Sequence, residues 1–306
     1  MNSPIAFFAY KRPYHTYRAL KSLSLNKEAF STDIYAFIDG HTKNSEIHLI
    51  DNVEKIINSF GPNFKSIRIS RSHKNLSCCN NIRNGITNVL QNNESVIVLE
   101  DDICVSEFFL SYMNKALMLY KNEKEVWHIN GFNFPVNIKY DFDCFFCRLM
   151  QCWGWGTWAD RWSKFVDDPF ANDPYFLKEK FNKAMIKEFD LDLKTKIFWS
   201  QVESNASGKL NNTWAIFWYS FIFMNRGLCL TPKISLTRNI GHDGSGIHSS
   251  FNKEFLFSDI GKNEIVSFPK FNIESRECLN QIKSYLKKRN SLYSKIIRKI
   301  NFFRKL

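Results

Sequence analysis

The sequence predicts an α/β protein built on a mostly parallel sheet with helices on both faces. Short buried strands alternate with helical segments throughout the first half of the chain. Such alternation is typical of parallel sheets, because each strand needs a crossover connection before the next one. The chain has 306 residues, of which 44% are hydrophobic, so it is long enough to bury a sizeable core.

Each element is predicted from its local pattern. Strands are predicted at residues 5–10, 34–38, 66–70, 95–99, 126–130 and 228–230, the first and fourth of them from buried apolar runs. Helical spacing of apolar residues, or helical composition, predicts helices at residues 14–28, 44–59, 77–92, 106–121, 174–207 and 213–225. A glycine-rich polar loop is expected at 238–250.

Polar residues follow three of the predicted strands at the point where each strand ends. They are Arg12 after the first strand, Asp39 after the second, and the run Glu100, Asp101 and Asp102 after the fourth. Ligands of open parallel sheets bind at the carboxyl ends of the strands, so these residues are expected to line one crevice. Acidic residues in this position also cap a following helix, which is the structural alternative.

Three adjacent carboxylates at the end of a buried strand repel one another unless a cation compensates them. A hard divalent ion with oxygen ligands is suited to that role, and it commonly bridges the phosphates of a substrate. We therefore expect Glu100–Asp102 to bind a metal ion together with a nucleotide diphosphate.

The formal net charge of +12 is concentrated at the C-terminal end. Residues 283–306 contain nine Lys or Arg and no Asp or Glu, which leaves +3 for the remainder. A nearly neutral body argues against nucleic-acid binding. The segment also has an apolar stripe at Leu292, Ile296, Ile300 and Phe303. This pattern predicts a helix that lies in an anionic membrane interface, and a helix docked on the body is the alternative.

No run of about 18 apolar residues predicts a transmembrane helix, and the N-terminal residues lack the pattern of a signal peptide. The expected location is therefore cytoplasmic and peripheral, at the inner face of the cytoplasmic membrane.

Several motifs together resemble a known family. They are FAYKRP at 8–13, FIDG at 37–40, NNIRNGI at 80–86, VLEDD at 98–102 and CWGWGTWADRW at 152–162. In this order they are similar to the GT-A nucleotide-sugar glycosyltransferases, including N-acetylglucosaminyltransferase I and bacterial enzymes of surface-polysaccharide synthesis. The resemblance extends over residues 4–250 and implies a GT-A, Rossmann-like fold.

The resemblance implies a role for each donor-side residue. Asp102 would be the direct ligand of a Mn²⁺ or Mg²⁺ ion, and Glu100 and Asp101 would contact the ribose or the donor sugar. Asp39 corresponds to the residue that binds uracil or ribose, and Arg12 is placed to approach the base or the phosphates.

Two further basic side chains could complete this set. Arg83 lies in the helix after the third strand, where it either faces the diphosphate or belongs to a solvated helix face. His248 is a possible metal ligand, because enzymes of this fold often complete the metal shell with a C-terminal histidine.

The catalytic base departs from the family pattern. In N-acetylglucosaminyltransferase I the aspartate base directly follows a tryptophan, whereas here Ala215 follows Trp214. Asp243 in the glycine-rich loop is the first candidate for a substitute, and Glu203 is the second. The structural alternative for Asp243 is a turn residue before Gly244.

The tryptophan-rich block has two interpretations. Trp153, Gly154, Trp155 and Gly156 form either a loop whose indole faces stack on sugar rings or part of the core. Trp158 and Trp162, at the end of the block, are expected in the core.

We therefore expect a metal-dependent, inverting glycosyltransferase of the hexosyl or N-acetylhexosaminyl type. Its donor would be a nucleotide-diphosphate sugar, with UDP as the expected nucleotide, and its acceptor a glycan or lipid-linked glycan of a bacterial surface polysaccharide or lipopolysaccharide. Residues 1–135 would bind the donor, residues 136–282 would form the acceptor side, and 283–306 the basic tail. A sugar nucleotidyltransferase and a non-catalytic glycan-binding protein are the alternatives.

Overall fold

The computed structural model of the chain describes residues 2–193, 195–209, 213–245 and 251–290. Ten strands were found in these residues. They are β1 (Ile5–Ala9), β2 (Asp33–Ile38), β3 (Ser66–Arg71), β4 (Ser95–Glu100), β5 (Ile103–Val105), β6 (Val126–Asn130), β7 (Cys144–Cys147), β8 (Trp155–Trp158), β9 (Leu228–Pro232) and β10 (Thr237–Asn239).

Eleven helices accompany them in the same described ranges. They are α1 (Pro13–Leu23), α2 (Ile47–Ser59), α3 (Ser77–Leu90), α4 (Phe109–Leu119), α5 (Ala159–Asp167), α6 (Pro174–Lys180), α7 (Lys183–Phe189), α8 (Trp199–Ala206), α9 (Trp214–Met224), α10 (Lys253–Leu256) and α11 (Arg276–Arg289).

Eight of the strands form one mixed sheet in the order β3-β2-β1-β4-β8-β6-β9-β7. The run from β3 to β4 is parallel throughout, and β6 pairs with β9 in parallel as well. β8 is antiparallel to both of its neighbours, and β7 closes the far edge antiparallel to β9. The mostly parallel sheet predicted from the sequence is confirmed, and strands from both predicted halves belong to it.

Helices cover both faces of this sheet, and each face has its own apolar cluster. Leu20 of α1, Val53 of α2 and Met113 of α4 belong to the cluster on one face. Ile86 of α3 and Trp218 of α9 belong to the cluster on the other. Burial of these apolar stripes is what holds the helices against the sheet.

The close approach of α3 to the sheet depends on a glycine. A Cβ atom at Gly85 would lie 2.5 Å from the Phe8 ring and 2.9 Å from the Phe37 ring. Real Cβ atoms do not make contacts that short, so any side chain at Gly85 would push α3 away from β1 and β2.

The predicted long helix at 174–207 is wrong, because the structure divides this segment into α6, α7 and α8. Asn182 caps α7 by accepting a hydrogen bond from the Met185 backbone N–H. After α7, Leu191 and Asp192 adopt positive φ angles of 55° and 56°, a conformation that cannot continue a right-handed helix.

The C-terminal part of the described chain packs on the body. In α11 the side chains of Cys278, Leu279, Ile282 and Leu286 are buried. The predicted start of the basic tail at residue 283 therefore falls inside a docked helix. Residues 291–306, which carry the predicted apolar stripe, lie outside the described residues. Among the helices described, none combines the length and apolar character needed to cross a bilayer.

Candidate functional site

The carboxyl ends of β1 and β4 bring the first set of predicted residues together. These strands are parallel neighbours, with Phe8 opposite Glu100 in the register. The chain therefore leaves β1 at Tyr10–Arg12 directly beside the turn that carries Asp101 and Asp102. We call Glu100, Asp101 and Asp102 the acidic trio.

Arg12 lies on this trio. One guanidinium nitrogen, Nη2, contacts Asp101 Oδ1 and lies 2.9 Å from Asp102 Oδ2. The Tyr10 backbone N–H donates to Asp101 Oδ2 at 3.3 Å. The sequence predicts that Arg12 approaches the base or the phosphates of a donor; in this structure its charge is directed at the carboxylates at the same strand ends.

The charges in this cluster shift the pKa of each member. Burial acts to lower the pKa of Arg12, but the negative charges of Asp101 and Asp102 outweigh it and raise the pKa. For Asp101 burial dominates, and its pKa is raised despite Arg12. Burial also raises the pKa of Glu100, and the charges of Asp102 and Asp101 add to that effect.

The trio has more carboxyl groups than basic partners. Burial and the neighbouring carboxylates raise the pKa of Glu100 to about 8, and the described residues pair the trio with one cation, Arg12, and supply no second ion pair to it. Glu100 contacts a thiol instead, with Cys78 Sγ 4.0 Å from Glu100 Oε2. The site is therefore a crevice with more acidic groups than the described residues balance with basic side chains.

The glycine-rich loop reaches the same crevice from a distant part of the sequence. β10 pairs antiparallel with β5, and the Ile240 backbone N–H donates to the Asp102 carbonyl oxygen at 2.8 Å. A Cβ atom at Gly241 would overlap the Asp102 carboxylate and lie 3.1 Å from Arg12 Nη1. Glycine thus allows the loop 240–245 to lie directly against the acidic trio.

Asp243 is held in this loop by two neighbours. Its Oδ2 lies 3.0 Å from Nε2 of His15 on α1. Its Oδ1 accepts hydrogen bonds from the Ser245 backbone N–H at 2.9 Å and from the Ser245 hydroxyl at 2.6 Å. Burial acts to raise the pKa of Asp243, but these hydrogen bonds and the charge of His15 hold the pKa below its ordinary value.

Asp243 therefore remains a carboxylate near neutral pH, and its side chain keeps 35% of its surface exposed. Glu203, the second candidate base, lies elsewhere on α8, where it forms an exposed ion pair with Lys196 at 2.6 Å. Of the two predicted bases, only Asp243 belongs to the loop that contacts the trio. His248 falls in residues 246–250, outside the described chain.

Asp39 supports a neighbouring loop. Its Oδ1 accepts from the Leu76 backbone N–H at 2.7 Å and from the Gly40 N–H at 2.9 Å, and its Oδ2 accepts from Asn75 Nδ2 at 3.1 Å. Burial raises the pKa of Asp39 despite these hydrogen bonds. These contacts tie the end of β2 to the segment before α3.

Arg83 is not brought to the trio. Its guanidinium lies over the Phe165 ring, 5.4 Å from the ring centroid, and beside the side-chain amide of Asn172. The prediction that it faces the diphosphate is therefore wrong for this structure. Its position on the α5 side of α3 accounts for the difference, since the trio lies at the strand ends.

The tryptophan-rich block is divided between the site and the core. Trp155 is fully buried and stacks on Trp214, with ring centroids 5.3 Å apart. Gly154 and Gly156 are also buried, and Gly156 belongs to β8. The sugar-facing prediction is wrong for these three residues, because β8 is inserted into the sheet between β4 and β6.

Trp153 has a different environment from the rest of the block. It is only partly buried, and its ring lies 5.1 Å from His242 in the loop and 5.0 Å from Phe255 in α10. Of the four residues predicted to contact a sugar, Trp153 alone is placed beside the loop 240–245. The core positions predicted for Trp158 and Trp162 are confirmed.

Sequence reasoning missed His15, Cys78 and Gly241 as members of this site. His15 could have been recognised from its place in the first turn of α1, because that helix begins directly after Arg12. The contact of Gly241 with the trio depends on the pairing of β5 with β10, which has no local sequence signal.

Comparisons with known proteins concern the fold. No protein-family model and no curated protein sequence matches the chain. Among solved structures it is similar to TarS of S. aureus, with 11% identity and a TM-score of 0.34 over 66% of this chain and 33% of that one. It is also similar to the galactosyltransferase LgtC in complex with donor and acceptor sugar analogues, with 12% identity and a TM-score of 0.35 over 57% and 64% of the two chains.

A putative glucose-1-phosphate thymidylyltransferase from Bacillus anthracis is similar at 12% identity and a TM-score of 0.40, over 83% of this chain and 99% of that one. The chain thus spans about a third of TarS and less than two thirds of the LgtC chain in that complex. The α/β fold class predicted from the sequence, a mostly parallel sheet flanked by helices, is confirmed by the sheet order and the helices on both faces.

Proposed function

We propose that this protein is a glycosyltransferase that moves a sugar from a nucleotide-diphosphate donor, UDP-linked, to a glycan acceptor. The observation that carries the proposal is the convergence of Arg12, the acidic trio and the loop with Asp243 at the carboxyl ends of β1 and β4. Substrates of open parallel sheets bind at these strand ends, and carboxylates at this place can hold a divalent cation that in turn binds a sugar diphosphate.

A divalent cation, Mn²⁺ or Mg²⁺, is part of this proposal. The described residues contain no group of three or more His, Cys, Asp or Glu side chains arranged around one ion. The donor set nevertheless fits, because hard carboxylate oxygens meet at a crevice with more carboxyl groups than basic partners. Asp102 would hold the ion and Glu100 would face it. Such an ion, when bound, supplies positive charge to the leaving diphosphate.

The protein's own residues would perform the remaining chemistry. The oxygen of an acceptor hydroxyl attacks the anomeric carbon, while the bond from that carbon to the diphosphate oxygen breaks. Asp243 accepts the hydroxyl proton, and the nucleoside diphosphate leaves with the bonding electron pair. Attack from the face opposite the leaving group gives inversion. The pKa of Asp243, held below its ordinary value, keeps it in the basic form for this step.

Trp153 would contribute the sugar-binding face at the acceptor side. It lies between His242 of the loop and Phe255 of α10, and an indole face of this kind packs well against the C–H groups of a sugar ring. We further propose that the sugar transferred is a hexose or an N-acetylhexosamine. The acceptor would be a lipid-linked glycan of a bacterial surface polysaccharide or lipopolysaccharide. The basic segment at 291–306 would hold the enzyme on the cytoplasmic membrane.

Thermal-shift measurements with nucleotides test the donor class. We expect UDP to raise Tm only when Mn²⁺ or Mg²⁺ is present, and a panel of UDP-sugars to be slowly hydrolysed. Stabilisation by a nucleoside triphosphate together with a sugar 1-phosphate would support the alternative of a sugar nucleotidyltransferase. The absence of any nucleotide effect would support a non-catalytic glycan-binding protein, which sugar titrations would then identify.

A further inference from the structure

The contact of Arg12 with Asp102 has a consequence for metal binding. Arg12 Nη2 lies 2.9 Å from Asp102 Oδ2, and the same nitrogen contacts Asp101 Oδ1. Only 24% of the Arg12 side chain is exposed, so the guanidinium is confined to the crevice rather than extended into solvent. Arg12 therefore places a positive charge inside the site, against Asp101 and Asp102.

The surrounding backbone leaves the guanidinium little room on one side. A Cβ atom at Gly241 would lie 3.1 Å from Arg12 Nη1 and would overlap the Asp102 carboxylate. The loop 240–245 thus covers the pair formed by Arg12 and Asp102. A cation that binds Asp102 Oδ2 therefore competes with the Arg12 nitrogen for that oxygen, on a side of the carboxylate that the loop already crowds.

We infer that Arg12 is an internal counter-cation that competes with a divalent metal ion for Asp102 and is released when the nucleotide diphosphate binds. This inference rests on the proposed donor site. A guanidinium presents paired N–H donors that match phosphate oxygens as well as carboxylate oxygens, so the diphosphate offers Arg12 a replacement partner.

Coupled binding of metal and nucleotide follows from this exchange. Metal alone has to displace Arg12 without offering it another anion, and its affinity is lowered accordingly. Metal together with the nucleotide supplies both the cation for Asp102 and the anion for Arg12. Because binding free energies are reciprocal, UDP must then raise the affinity for metal by the same factor by which metal raises the affinity for UDP.

Titration of the full-length protein with Mn²⁺, followed by the electron paramagnetic resonance signal of free Mn²⁺, tests the inference without an activity assay. In Arg12→Gln we expect Mn²⁺ alone to bind about tenfold more tightly than in the wild type, within the usual range of such couplings. We also expect added UDP to improve Mn²⁺ binding less in Arg12→Gln than in the wild type.

Arg71→Gln is the matched control, because Arg71 also bridges two carboxylates, Asp51 and Glu54, each at 2.8 Å, away from the crevice. It should leave Mn²⁺ affinity unchanged. If Arg12→Gln does not fold, Arg12→Lys keeps one positive charge but cannot bridge both carboxylates, so it should show the same change to a smaller degree.

Mn²⁺ affinity that is unchanged or weaker in the Arg12 variants would overturn the inference. Failure of every protein to bind Mn²⁺, even with UDP present, would overturn it as well. UDP binding measured in metal-free buffer then decides the proposed function separately, since a nucleotide-sugar enzyme that works without a metal ion would still bind UDP.

Discussion

The acidic crevice differs from the aromatic layer of Trp155, Trp162 and Trp218 in the interactions between its side chains. In the crevice, Arg12 and the acidic trio keep charges together at an open end of the sheet. In the aromatic layer, Trp155, Trp162 and Trp218 are almost fully buried, with the Trp162 and Trp218 ring centroids 5.3 Å apart. Charged side chains meet in the crevice, whereas the indole rings pack against one another in the core.

The boundary between these regions falls within one motif. Trp153 lies against the loop of the crevice, and Trp155, two residues later, lies in the core. Gly154 between them adopts a φ angle of +74°, a turn that glycine makes without strain, and β8 begins immediately afterwards. A tryptophan-rich motif therefore says little about ligand binding until the strand boundary is known. Variants on each side of this boundary should fail in different ways.

The largest expected effect is at Asp102. Asp102→Asn should lower transfer or donor hydrolysis by about 10³-fold, because the proposed metal ion loses its ligand and the diphosphate its counter-charge. Metal-dependent stabilisation by UDP in a thermal-shift assay should disappear as well. Asp51→Asn, which also removes a carboxylate paired with an arginine, is the control and should behave as the wild type. Near-normal turnover of Asp102→Asn would contradict the site assignment.

A similar loss of turnover without loss of nucleotide binding is expected at Asp243. Asp243→Asn preserves the shape of the side chain but cannot accept the acceptor proton, so kcat should fall by about 10²–10⁴-fold. Isothermal titration should show unchanged UDP affinity. Glu203→Gln, which removes the exposed partner of Lys196, should have a much smaller effect. If Glu203→Gln is the more damaging variant, the base lies on α8 instead.

In the aromatic layer the expected loss is one of stability. Trp155→Ala removes a fully buried ring that stacks on Trp214 and on His128, and should lower the free energy of unfolding by about 3–5 kcal/mol. Trp153→Ala should lower it less, because Trp153 is only partly buried, but it should weaken sugar binding. Urea unfolding and sugar titrations of both variants measure the two effects. Equal losses of stability would remove the distinction between the two positions.

The pH dependence of stability should reveal the buried histidine of this layer. His128 contacts the Gln151 carbonyl at 3.0 Å through Nε2, and Trp218 Nε1 donates to its Nδ1 at 3.2 Å. Burial lowers the pKa of His128 to about 3 from an ordinary value of 6.5. Its neutral form is therefore the folded form, and the unfolded chain binds the proton more readily.

The stability that the folded protein gains from a neutral His128 is fully present above pH 6.5 and is lost as the pH falls toward 3. Relative to His128→Gln, the wild type should lose up to about 1.4 kcal/mol of unfolding free energy per pH unit in that range. Urea unfolding of both proteins at several pH values between 7.5 and 4.5 provides the comparison. Parallel pH profiles would show that His128 is not held neutral.

Removal of residues 291–306 should have the smallest effect on the stability of the rest of the protein. This deletion leaves α11 and its buried Leu286 intact, so Tm should not change. Binding to anionic liposomes should be lost, and in the full-length protein that binding should weaken with added salt. Deletion from residue 283 is a different experiment, because it also removes Leu286 and the ion pair between Lys283 and Asp192. Liposome binding that survives the shorter deletion would place the membrane contact on the body.

Local patterns were sufficient for much of the donor half. Apolar runs predicted β1, β2, β4 and β6 to within a residue or so of their bounds, because strands largely buried in a sheet need nearly continuous apolar sequence. The trio was recognised for a similar reason, since adjacent carboxylates after a buried strand require compensation wherever the chain folds. That requirement is electrostatic and can be read from sequence order.

What the sequence by itself determined about this protein is therefore the parallel half of the sheet and the charge at its end. Only the tertiary structure decided that Arg12 is a partner of the carboxylates, that the loop 240–245 lies against Asp102, and that Trp155 belongs to the core. Each of these depends on contacts between residues far apart in the chain, such as the pairing of β10 with β5 and the insertion of β8 between β4 and β6. Local spacing carries no record of such pairings, because their energy arises only when the distant segments meet.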